Sequence, residues 1–182
     1  MKFKILHQVK AFYKLFITAL VLVMTVTGCL FSNTDTDIAK PSLAEEKAQL
    51  QAYLNNLTDK GYNLDTTDLG VYYVVVEEGE GDFAKPGDTL TVGYAGFFID
   101  GEMFESSNQY SQEEGTIKFT LGDPPIFPGW DDSMKLMNTN MKIQLIIPSW
   151  LAYGSEGAGL IPPYATLVYV VKLYNIKPKT EN

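Results

Sequence analysis

The chain has 182 residues, with 14 lysines and no arginine against 22 acids, one histidine, one cysteine and a formal net charge of −8. That length supplies one well-buried domain plus a targeting segment and a spacer, and is thin for two independent enzymatic domains. With no arginine and no basic cluster, an acidic chain repels phosphates, which argues against nucleic-acid binding.

Lys2, Lys4, Lys10 and Lys14 precede an apolar run from Leu15 to Val26, the layout of a secretory signal peptide over residues 1–28. The run ends in Val26-Thr27-Gly28-Cys29, which resembles a bacterial lipobox, with Cys29 as the lipidated first residue of the mature chain and Val where Leu is commoner. The alternative is an uncleaved anchor, since no charge appears between Leu15 and Thr34, although the run is at the short edge of what a bilayer needs. Both readings tether the globular part to a membrane outside the cytoplasm, an outer-membrane or periplasmic lipoprotein in a bacterium. Removing residues 1–28 leaves 10 lysines and 22 acids, a net charge of −12, and takes away the only histidine, His7. Lipidation occupies the only cysteine. The mature chain then lacks the groups for Ser-His-Asp or Cys-His catalysis, for a His or Cys zinc site and for a disulfide. The expectation is a protein without metal or cofactor, working through carboxylates, hydroxyls, aromatics, lysines or backbone.

Residues 29–41 are mostly polar and aperiodic, as a flexible spacer would be. Ser42 and Glu45 form a capping box, and Leu50, Tyr53, Leu54 and Leu57 recur at helical spacing until Gly61, so the segment 42–61 predicts one helix over about 43–60. Its apolar stripe has two uses: docking on the main domain, the ordinary fate of a single short helix, or dimerisation through a second copy. From Gly70 the period becomes that of strands. Val71 to Val76 and Thr89 to Phe98 read as strands with Asp100-Gly101 as a hairpin turn, followed by Thr116 to Leu121, Met141 to Ile147 with Lys142 and Gln144 facing out, and Thr166 to Ile176. Trp130, Met134 and Met137 mark one short helix behind Pro128-Gly129. The predicted fold class is α+β: a curved antiparallel sheet, a half-barrel, wrapped around one short helix over residues 70–177. Asp131-Asp132 and Glu77-Glu78 read as solvated faces, the first also favouring a helix N-terminus.

Three blocks carry the chemistry. They are Gly87-Asp88-Thr89-Leu90-Thr91-Val92-Gly93-Tyr94-Ala95-Gly96 continuing to Phe104-Glu105-Ser106-Ser107, then Ile117-Lys118-Phe119 with Ile126-Phe127-Pro128-Gly129-Trp130, then Ile147-Pro148, Ala152-Tyr153-Gly154 and Ile161-Pro162-Pro163-Tyr164-Ala165-Thr166-Leu167-Val168-Tyr169. In this order and spacing they resemble the FKBP-type peptidyl-prolyl cis-trans isomerase domain. Taken singly, an aromatic in an alternating strand is usually plain core, so the ordered set is what points to a pocket. The resemblance implies catalytic positions at Tyr94, Phe104, Glu105, Phe127, Trp130 and Tyr153, and substrate-binding positions at Ile117, Phe119, Ile126, Ile161 and Tyr169. It implies Trp130 as the floor under a proline ring, and the Phe127 N–H and Tyr153 hydroxyl on substrate carbonyls. The chemistry fits a chain without His or Cys: an X-Pro bond faces a barrier of roughly 18–20 kcal/mol, and a dry aromatic pocket disfavours its planar, more dipolar form relative to the twisted one.

The sequence departs from the family pattern at Glu105, usually Asp, and at Tyr169, often Phe; no arginine exists to pair with Glu105, and Tyr94 and Tyr153 are its expected hydroxyl partners. The resulting expectation is a prolyl isomerase acting on proline-containing segments of exported proteins, with weak turnover and an affinity for macrolide FKBP ligands. The alternatives are a non-catalytic FKBP-like module that holds a proline-containing partner, and a structural lipoprotein that uses the fold as scaffold.

Overall fold

Alternation along the strands gives the sheet two apolar faces, and a helix covers each. The computed structural model describes residues 42–109 and 115–180, which fall in one unit, Pro41–Asn182. Helix α1 (Leu43–Asp59) leads into strands β1 (Asp65–Thr66), β2 (Tyr72–Glu77), β3 (Thr89–Phe98), β4 (Met103–Ser106) and β5 (Ile117–Thr120), helix α2 (Pro128–Met134), and strands β6 (Lys142–Ile147) and β7 (Leu167–Lys177). All strands are antiparallel in the order β1-β2-β6-β7-β3-β4, with β5 paired to the first half of β3. The longest ladder joins β3 to β7, from Thr89 opposite Lys177 to Phe98 opposite Leu167. The signal-peptide, Cys29 and spacer expectations lie outside the described residues.

Helix α2 starts where the sequence allows a backbone to approach another closely. Pro128 sits in the first turn, where a missing N–H costs nothing. A Cβ on Gly129 would stand 2.5 Å from Ile147 Cγ2 and 3.0 Å from the Leu151 carbonyl, so glycine lets the helix close on β6. Met134 is helical and fully buried. Met137 is equally buried but lies past the helix end, where the Leu136 and Met137 N–H groups donate to the Ser133 and Met134 carbonyls at 3.1 Å in a tightened last turn.

The inner face of the sheet packs on α2 through Leu90, Val92, Ile143, Leu145, Tyr169 and Val171. The outer face is covered by α1. Ser42 caps that helix by accepting from the Glu45 N–H at 3.3 Å, and Leu50, Leu54 and Leu57 bury themselves on Ile146 and Val168, flanked by Tyr53, Tyr72 and Phe97. Burial of each leucine contributes about 1.5–3 kcal/mol. Gln144, expected to face out, does so, but beneath the helix: its amide donates to the Tyr53 hydroxyl at 3.1 Å. The apolar stripe is therefore spent on the sheet, which is the docking use and leaves its leucines covered. No described helix is long and apolar enough to cross a membrane.

Both sheet edges are short. At one, two-residue β1 covers part of β2; at the other, β4 and β5 divide the edge of β3. The ladder fails at Tyr94, and there the buried Ser107 hydroxyl substitutes for a strand: it accepts from the Tyr94 N–H at 2.9 Å and lies 2.5 Å from the Gly115 carbonyl and 3.2 Å from the Tyr94 carbonyl.

Candidate functional site

Trp130, on the first turns of α2 and 3% exposed, forms the base of an aromatic cluster drawn from every part of the domain. Tyr94 of β3 meets it edge-on at 5.5 Å between ring centroids, Tyr169 of β7 at 5.3 Å, Phe119 of β5 at 6.1 Å and Phe127 at 6.2 Å. Phe104 of β4 stands against Tyr169 at 5.6 Å, and Tyr153, after β6, against Phe127 at 5.3 Å. Most of these pairs are edge-to-face, the geometry in which ring rims and ring faces attract. All seven rings singled out from sequence thus join one cluster. Ile117 and Ile161 pack half-buried against the same core. Ile126 stands apart at 45% exposure, with its backbone N–H donating to Asp131.

One glycine makes the cluster possible. A Cβ at Gly96 of β3 would lie 2.8 Å from both Phe104 Cζ and Tyr169 Cε1, so any side chain there would force two rings apart. Phe98, two residues on, tilts against Phe104 at 4.9 Å and extends the cluster to an eighth ring. It lies outside the ring set that the family resemblance implies, although it has the same parity as Leu90, Val92 and Tyr94.

The polar edge holds a donor that the sequence reading did not name. Tyr169, 1% exposed, donates its hydroxyl to Glu105 Oε1 at 2.6 Å. Tyr94 and Tyr153, the donors anticipated from sequence, are engaged in interactions of their own within this cluster. Burial first, then the hydrogen bond to Glu105, holds the Tyr169 phenol well above its ordinary range, so it stays a donor. The two departures noted in the sequence, Glu105 and Tyr169, are thus partners: the longer carboxylate meets a hydroxyl that a phenylalanine would lack. The indole N–H of Trp130 is buried without a hydrogen-bond partner among the described residues, a donor left in an otherwise apolar floor.

The segment entering α2 is held by a residue read from sequence as a solvated face. Asp131 accepts from the Gly122 N–H at 3.1 Å and the Ile126 N–H at 2.9 Å, folding the 122–126 loop back on the helix. Phe127 follows in extended conformation at φ −158° and ψ 158°, its carbonyl accepting from the Trp130 and Asp131 N–H groups. Asp132 is likewise not a solvated face: it is 7% exposed and pairs with Lys135 at 2.6 Å. Burial, the largest influence, raises its pKa, and the Lys135 ammonium together with the Thr67 side chain and the Leu69 backbone holds the carboxyl below its ordinary value. Among the described residues no cluster of His, Cys, Asp and Glu could hold a metal ion.

An antiparallel sheet packed on one helix, with a cluster of aromatic rings gathered on a tryptophan at the helix start, is the arrangement that the three sequence blocks led one to expect. Residues 80–174 match the model of the FKBP-type peptidyl-prolyl cis-trans isomerases, and the chain belongs to that family. It is 37% identical over 145 residues to FkpA of Escherichia coli K12, covering 75% of this chain and 52% of that protein. It is 44% identical over 93 residues to FK506-binding protein 2 of Debaryomyces hansenii, covering 51% of this chain and 67% of the relative. The crystal structure of Escherichia coli FkpA superposes with a TM-score of 0.65 at 35% identity, over 76% of this chain and 62% of the other. A peptidyl-prolyl isomerase from Pseudomonas syringae gives 0.63 at 28% identity, over 76% and 97%. The chain spans about half the length of FkpA.

Proposed function

We propose that this protein accelerates cis–trans isomerisation of X-Pro bonds in other polypeptides. The carrying observation is the cluster of aromatic rings around Trp130, with the Glu105–Tyr169 carboxylate-phenol pair at its edge. The proline ring seats on Trp130 between Tyr94 and Tyr169, while Phe104, Phe119, Ile117 and Ile161 exclude water. The Phe127 N–H and the Tyr153 hydroxyl serve substrate carbonyls, and Ile126 forms the exposed rim. Loss of amide resonance on twisting lowers the dipole of the bond, so a dry cup favours the twisted form with no nucleophile and no metal. The test is isomerisation of a short proline peptide by the soluble domain, followed by exchange spectroscopy; no acceleration at saturating peptide would refute the reading.

A second reading, a module that holds a proline-containing segment with little turnover, is favoured by one observation: Glu105 is one methylene longer than the usual aspartate and is held by Tyr169. Tight binding of a macrolide FKBP ligand without isomerisation would select it.

The setting belongs to the same proposal. The lysine-flanked apolar run and Cys29 make this a lipoprotein tethered on the outer side of a membrane, so its clients are exported chains. Cys29→Ala should abolish fatty-acid labelling; persistent labelling would remove the anchor from the proposal. The apolar stripe of the 43–60 helix serves docking in this proposal, since Leu50, Leu54 and Leu57 are covered by the sheet.

A further inference from the structure

A carboxylate from outside the pocket ties together both ends of the loop that supplies Tyr153 and Ile161. Glu46, in the first turn of α1, is 3% exposed and pairs with no lysine among the described residues. Its Oε1 accepts from the Ser149 backbone N–H at 2.6 Å and from the Thr166 hydroxyl at 2.9 Å, and its Oε2 accepts from the Ser149 hydroxyl at 2.6 Å. Ser149 directly follows Pro148 at the end of β6, and Thr166 directly precedes β7. Everything between them, including the two pocket residues, is a loop whose base is pinned by this one side chain. The pin is also close to the site along the chain. The Ser149 carbonyl accepts from the Ala152 N–H at 2.9 Å and the Gly154 N–H at 2.8 Å, the two residues that flank Tyr153.

Docking of α1 does not require this group. Leu50, Leu54 and Leu57 already seat the helix on the sheet, and a carboxyl side chain is costly to bury unless hydrogen bonds replace its water. Three donors converge on Glu46, two of them from one loop end and one from the other. An apolar residue could glue the helix equally well, but it could not fix the spacing of the two loop ends.

We propose that Glu46 is a positioning residue for the pocket, setting the 149–166 loop so that Tyr153 stands against Phe127 and Ile161 closes the cup, and that the working unit therefore begins at Ser42, upstream of the residue 80 where the family match starts. The proposal rests on the reading of the aromatic cup as the substrate site. It makes α1 part of the site's machinery although no residue of that helix joins the ring cluster.

The test uses the full chain with Glu46→Ala, Glu46→Gln and Ser149→Ala. Glutamine is the conservative replacement, because its carbonyl can accept from the Ser149 N–H and Thr166 while its amide donates to the Ser149 hydroxyl. In Glu46→Ala, amide exchange within 149–166 should speed up about tenfold while β6 and β7 amides stay protected. The same variant should lose about tenfold in kcat/KM on a proline peptide, mostly through KM. Glu46→Gln should stay within about twofold of wild type on both readouts, and Ser149→Ala should fall between, which keeps the test alive should Glu46→Ala not fold. Unchanged loop exchange with unchanged kcat/KM in Glu46→Ala would overturn the proposal. So would exchange that rises uniformly over the whole sheet, which would make Glu46 mere glue. A wild type with no isomerase activity would refute the proposed function alone, and loop exchange would still decide the role of Glu46.

Discussion

The two faces of the sheet solve opposite problems with the same strands. On the inner face, rings from β3, β4, β5 and β7 meet one another, Phe127 and Trp130 at 4.9–6.3 Å, and the polar atoms include a phenol-carboxylate pair and an indole N–H without a partner among the described residues. On the outer face, three leucines are accompanied by a saturated polar set, with Gln144 on Tyr53 and three donors on Glu46. On the proposed function, a surface that accepts a guest leaves this buried donor without a protein partner, whereas the surface closed by the helix supplies partners for Gln144 and Glu46. Burial alone would not separate them.

The sharpest way to break that contrast is Trp130→Leu. It should lower kcat/KM on a proline peptide about a hundredfold, measured at matched folded concentration, with a melting loss of a few kcal/mol. A folded variant with wild-type activity would make the inner face ordinary core. The outer-face counterpart is Leu54→Ala, expected to cost about 3 kcal/mol in denaturant unfolding while the folded fraction keeps its activity, because the Glu46 contacts persist.

Tyr169→Phe tests the pair at the polar edge. Removing the hydroxyl leaves Glu105 without that donor, at about 1–3 kcal/mol of stability. In a double-mutant cycle with Glu105→Ala the two losses should overlap by about 1–2 kcal/mol; strict additivity would show that the 2.6 Å contact carries no energy. The pH dependence follows from the raised Tyr169 pKa. In the unfolded chain the phenol ionises near pH ~10, whereas the folded protein keeps its proton. Stability from this group is therefore complete below that pH and is lost as pH rises above it, by up to ~1.4 kcal/mol per pH unit. Denaturant titrations from pH 8 upward should show a steeper alkaline decline in wild type than in Tyr169→Phe. The smallest effect belongs to Lys172→Ala, which cuts an exposed pair with Glu77 at 2.6 Å; unfolding and activity should both be indistinguishable from wild type, since exposed pairs contribute little.

Much of this was legible in the residues. Strand β3 was read at its observed bounds because Leu90, Val92 and Tyr94 alternate with polar or small residues, and the pocket rings followed from the order of the three blocks. What stayed hidden depends on contacts between distant segments. Glu46 looks like any acid in a first turn, and only the approach of Ser149 and Thr166 makes it a buried acceptor. Asp131 and Asp132 look like a solvated pair until the 122–126 loop folds back and Lys135 closes in. Ile146 and Val168 are apolar at outward positions of β6 and β7, a sequence signal that already asks for something to cover them.

The interrupted edges of the sheet have a bearing on solubility. An edge strand is a row of unpaired backbone donors and acceptors that can template the pairing of any extended chain. Here one edge carries a two-residue strand, and the other is cut into two four-residue pieces with the Ser107 hydroxyl between them. Among the described residues, neither edge offers an uncovered strand run of more than four residues. If the proposed function holds, a protein that meets unfolded polypeptides at close quarters can thus bind a proline without being drawn, edge to edge, into the aggregates those polypeptides would form.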